Sequence, residues 1–168
     1  AQALTTLAGL YEREGDWDKA ASTLKRALEH AQAGAERGEA YRRLGVIYLQ
    51  ELNEPGEAKR ALEQAAAELE DARVFEALSQ LARDEGDNAA LLSHLKRLAP
   101  LCEGKAQTRA YVELSAVAKA QGDSATQREA LERAYALDAE NHKVIEPLVE
   151  LYLEAGEHAS AEPLVKAM

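Results

Sequence analysis

Side chains able to do chemistry are few in this sequence, and their spacing does not bring them together. The four histidines are His30, His94, His142 and His158. A helical zinc pair needs two of them on one face, three or four residues apart, and no two meet that. His30 falls late in an expected helix, where the dipole favours a cation, so solvated or capping histidines are the reading. Cys102 is the only cysteine; it can form no internal disulfide and has no thiolate companion for a metal. A reducing compartment such as the cytoplasm is therefore the expectation. Ser79 and Ser115 have no predictable histidine partner for nucleophilic work. The pairs Gly15-Asp16, Gly86-Asp87 and Gly122-Asp123 form no phosphate loop. A glycine that ends one helix and an aspartate that caps the next account for them. The sequence predicts no active site, no metal and no cofactor.

The elements that would carry these residues are short amphipathic helices. Leu4, Leu7, Leu10 and Tyr11 are spaced as one helix face, and Ala20, Leu24, Ala27 and Leu28 repeat that spacing beyond the Gly15-Asp16 hinge. Neither helix can bury its apolar stripe alone. Four further copies follow, with Leu44, Leu78, Leu114 and Leu148 in the place of Leu7, at steps of 37, 34, 36 and 34 residues. Small residues, Gly45, Ser79 and Ser115, stand where the first copy has Ala8 and let two helices approach closely; Val149 departs from this. Ala, Leu, Glu, Lys and Arg dominate, and no run of alternating β-branched residues is long enough for a strand.

This period and these residue types resemble the tetratricopeptide repeat family over essentially the whole length. The resemblance implies an all-α fold, a right-handed superhelical solenoid of about five helical hairpins in a single array spanning residues 1–168. The units fall at about 1–37, 38–71, 72–107, 108–141 and 142–168, and the first helix of each is expected on the concave face. Trp17 takes the slot where this family has an aromatic wedged between helices. Pro55 suits the first position of a helix capped by Asn53 or Glu54. Pro100 is expected to end or kink its helix. Pro147 falls inside a helix unless that helix starts late, and Pro163 is mild only if Ser160 is the cap. Leu91 and Gln127 replace the small residue of the Ala20 slot in the third and fourth units, and Gln127 strains the packing of its unit. The chain opens without Met and stops at Met168 before its last helix can finish, which reads as a piece of a longer array or an end covered by another chain.

Function is expected on the first helices. Thirty wall positions on them carry eight basic and eight acidic residues, so the net charge of −10 lies elsewhere on the chain. Arg73, Arg109 and Lys143 hold equivalent positions in three successive units and would form a cationic ladder, joined by Arg42 and Arg43. Gln80 and Lys119 lie on the same walls. Glu39, Glu76, Glu113 and Glu146 lie about a turn away and could pair with these cations. Arg grips carboxylates bidentately, so an acidic peptide segment is the natural partner. Family members that clamp the C-terminal carboxylate of heat-shock chaperones use Lys and Asn where this chain has Thr5, Gly9 and Arg43. That partner is not expected. The acidic balance disfavours nucleic acid, and no apolar run is long enough to span a membrane. The leading expectation is a non-catalytic protein-interaction module. Its alternatives are self-association through the chain ends and a regulatory segment of a larger protein.

Overall fold

The computed structural model describes residues 2–167. They form ten α-helices and no strand, in two compact units divided between residues 85 and 86.

The first unit holds α1 (Gln2–Glu14), α2 (Trp17–Leu28), α3 (Ala35–Gln50), α4 (Pro55–Glu68) and α5 (Ala72–Glu85). Each helix packs on the next along the chain. The break between α1 and α2 follows from local chemistry. Gly15 adopts φ +74°, a left-handed conformation that costs glycine little, and Asp16 then accepts the Lys19 backbone N–H at 3.3 Å. Pro55 opens α4, with Glu54 as the preceding residue and Asn53 at φ +53°.

Burial follows the repeated pattern through α2 to α5, where Leu24, Leu62, Phe75 and Leu78 are sealed from solvent. The small residue Gly45 works as its position suggests: a Cβ there would lie 2.6 Å from Leu62 Cγ, so α3 and α4 meet closely only because none is present. Helix α1 differs from its pattern. Only Ala8 is buried, while Leu7 is 36% and Leu10 50% exposed, because α1 has helices on one side only among the described residues.

The second unit runs through α6 (Asn88–Leu98), a 3-10 turn at Ala99–Leu101, α7 (Gly104–Ala120), α8 (Ser124–Leu137), α9 (His142–Glu154) and α10 (His158–Ala167). Asp87 and Asp123 cap α6 and α8, accepting from the Ala90 and Thr126 amides at 2.9 and 3.0 Å. Pro100 lies in the 3-10 turn that replaces the α-helix there. Leu131, Val144, Ile145, Leu148 and Leu164 form the core of α8 to α10. Gln127 is buried in its slot, and α8 still packs on both α7 and α9.

Pro147 and Pro163 both stand inside helices. Ser160 is a helical residue of α10 rather than its cap, so Pro163 removes one helical hydrogen bond. His30 lies in the turn after α2, beyond the helix end. Met168, where the sequence leaves the last helix unfinished, lies outside the described residues, as does Ala1.

Candidate functional site

In the first unit, side chains of α1 and α3 line two surface hollows. Thr5, Thr6, Gly9, Glu12 and Arg43 line one open hollow of about 460 Å³. Arg42, Arg43, Val46 and Gln50 line a second of about 320 Å³, with the half-buried Trp17 at its edge. Trp17 thus packs against its neighbours and also reaches this surface.

The cations here are committed within the chain. Arg43 meets Glu12 at 2.7 Å and donates to the Thr5 carbonyl at 3.3 Å. Arg42 holds Glu39 through two hydrogen bonds of 2.8 and 2.6 Å. Both side chains are under one-fifth exposed. The Glu39 hydrogen bond raises the Arg42 pKa further, against the effect of burial, so this guanidinium stays charged. Gln80 is exposed but occupied, donating to Asp84 and accepting from Arg83, each at 2.8 Å.

The three ladder residues behave differently. Arg73 is exposed near the start of α5, and its backbone N–H donates to Asp71 at 2.8 Å. Lys143 is exposed at the same place in α9, and its N–H donates to Asn141 at 3.1 Å. Arg109 is exposed on the first turns of α7. None of the three side chains forms an ion pair with another described residue. Within the second unit, Arg109 lines a hollow with Asn141, which brings it beside the segment that bears Lys143. Lys119, further along α7, meets Glu150 of α9 at 3.7 Å; both are mostly exposed, so the pair is weak.

Two kinds of residue escape the sequence pattern. One is the ion pair between elements: Arg37 of α3 pairs with Glu68 of α4, and Arg128 of α8 joins Glu157 at 2.6 Å, holds Glu132 of its own helix at 2.8 Å and lies over the Tyr152 ring. Glu68 and Glu157 are about 30 residues from their partners, so helix period alone does not reveal these two pairs. The other is Lys105, which shares the Arg109 hollow. It precedes Arg109 by four residues on one helix face, a spacing that could have signalled it.

Ser115 donates to the Val112 carbonyl at 2.7 Å, and Ser79 is fully buried. Among the described residues no three His, Cys, Asp or Glu side chains gather as a metal site, and no helix is long and apolar enough to cross a membrane.

Residues 1–71 match the tetratricopeptide repeat family model. Solved structures share the fold across nearly the whole chain. A crystal structure of MamA covers 95% of this chain and 91% of its own, at TM-score 0.55 and 19% identity. The Podosopora anserina putative kinesin light chain, described as nearly identical TPR-like repeats, covers 99% and 92%, at 0.52 and 18%. The Pseudomonas aeruginosa pilF structure covers 99% and 73%, at 0.51 and 20%. No curated protein sequence matches the chain.

Proposed function

From a tetratricopeptide-repeat chain with three cations held free at one repeat position, we propose a non-catalytic interaction module that binds an acidic segment of a protein partner. The fold implies a protein-interaction scaffold in general; the acidic segment is our own reading. One observation carries it. Arg42, Arg43 and Lys119 meet carboxylates of this chain, whereas Arg73, Arg109 and Lys143 meet none among the described residues. A chain of net charge −10 has carboxylates to spare for neutralising them. Exposed cations without local partners keep their full attraction for a ligand carboxylate, and Arg adds a bidentate grip. Within the first unit, the pairs of Arg42 and Arg43 would open only for a ligand that replaces Glu39 and Glu12.

The test is a charge reversal. Arg73→Glu combined with Arg109→Glu should weaken binding of a labelled glutamate-rich peptide, read by fluorescence anisotropy, with the helical circular dichroism unchanged. Unaltered affinity would sink the reading.

Self-association is the second reading, and it rests on exposed apolar side chains: Leu10 at 50%, Leu153 at 48% and Val165 at 51%. Light scattering decides it, because a constant monomer mass across concentrations removes it.

A further inference from the structure

The hollow beside Arg109 is where the molecule departs from its own repeat. Five residues line it: Lys105, Thr108 and Arg109 from α7, and Asp138 and Asn141 from the link between α8 and α9. Its volume is about 470 Å³. The corresponding junction in the first unit is built from Ala35, Gly38 and Glu39 of α3 and Leu69 after α4. That junction is closed. A Cβ on Gly38 would lie 2.6 Å from Leu69 Cγ and 2.8 Å from Glu68 Cβ, so leucine and glutamate fill the space against the helix. Exchanging Leu69 for Asp138, Gly38 for Thr108, Ala35 for Lys105 and Glu39 for Arg109 removes the leucine, puts a threonine side chain on the helix in its place and replaces an acidic wall with a basic one.

The walls of this hollow are held in place. Thr108 is 7% exposed and fixes the α7 side. Asn141 donates its side-chain amide to Asp138 at 3.2 Å and accepts the Lys143 N–H at 3.1 Å, and its carbonyl receives the Val144 N–H at 2.8 Å. Asp138 is the one acid on the lining, and it already accepts from Asn141. Lys105 and Arg109 form no ion pair with any described residue. Lys143 lies two residues beyond Asn141.

Resting on the reading that the partner is acidic, we infer that this hollow is the anchor point. It takes one carboxylate side chain of the partner segment, with Arg109 and Lys105 as donors and Thr108 and Asn141 as the floor and rim. The site differs from a general cationic surface because it is a recess that the same fold elsewhere fills.

The distinguishing variant is Asp138→Leu, which puts an apolar side chain into the recess and also deletes a negative charge. If attraction were only a matter of surface charge, this change would tighten an acidic ligand. If the recess is the anchor, it weakens that ligand.

The probe is an end-blocked peptide of alternating Glu and Ala, with its Gln analogue as control, titrated into the 15N-labelled full chain. The acidic peptide should shift amides around Lys105 to Ala110 and Asp138 to Lys143, and the Gln analogue should not. Asp138→Leu, and separately Lys105→Ala with Arg109→Gln, should each weaken binding by about tenfold or more. Equal or tighter binding to Asp138→Leu overturns the anchor, as do shifts confined to amides around Arg73, and both leave the acidic-segment reading in place. No shift with the acidic peptide removes both.

Discussion

Ser79 is fully buried and its hydroxyl has no hydrogen-bond partner among the described residues. Burying such a group costs about 1–3 kcal/mol, so Ser79→Ala should raise stability by about 1 kcal/mol, read from the urea midpoint. Asp123 gives a second prediction at this scale. The Thr126 hydroxyl, the Thr126 amide and Lys96 all hold its carboxylate charged, which lowers its pKa from 3.8 to about 2. A depressed folded pKa means stability that is present above 3.8 and lost as pH falls through about 2. Asp123→Asn should therefore lower the melting temperature at neutral pH and flatten its decline across that acid window. The caps were legible because each is a contact three residues long: Asp16, Asp87 and Asp123 all accept the amides expected of them. The engagement of Arg43 was not, because Glu12 is 31 residues away and meets it only through the register of two helices.

Helices α3 and α4 depend on a missing side chain. Gly45→Ala would place a methyl 2.6 Å from Leu62 Cγ and 3.3 Å from the Leu62 backbone nitrogen, and the backbone cannot yield as a side chain can. Overpacking costs about 1–3 kcal/mol, against a gain in helix propensity of at most about 1 kcal/mol, so chemical denaturation should show a net loss. Pro163 makes the opposite case. It stands in the sixth place of α10, where a proline removes a helical hydrogen bond. Replacing it with alanine should stabilise the last hairpin, seen as slower amide exchange in α10. The hairpin period revealed where such helices begin and end, because Gly, Asp and Pro act locally. It did not reveal which stripes close. Leu7 and Leu10 carry the same spacing as the buried residues of later units, yet they remain exposed because burial depends on a neighbouring helix.

Across the molecule, some cations are engaged by carboxylates of the chain and others are not. Arg37 with Glu68 ties α3 to α4 and Arg128 with Glu157 ties successive repeats together, while the side chains of Arg73, Arg109 and Lys143 form no ion pair with another described residue. The positions of these three were legible as a repeat register; their lack of partners was not, since Glu76 and Glu146 lie within the same spacing that joins Glu39 to Arg42. Selection from a random peptide display library on the intact chain is the most direct test of the central claim. Peptides enriched in Glu and Asp should be recovered, and reversing Arg73, Arg109 and Lys143 to Glu should abolish that enrichment. Recovered peptides with no acidic bias, or an acidic bias that survives the triple reversal, would contradict it.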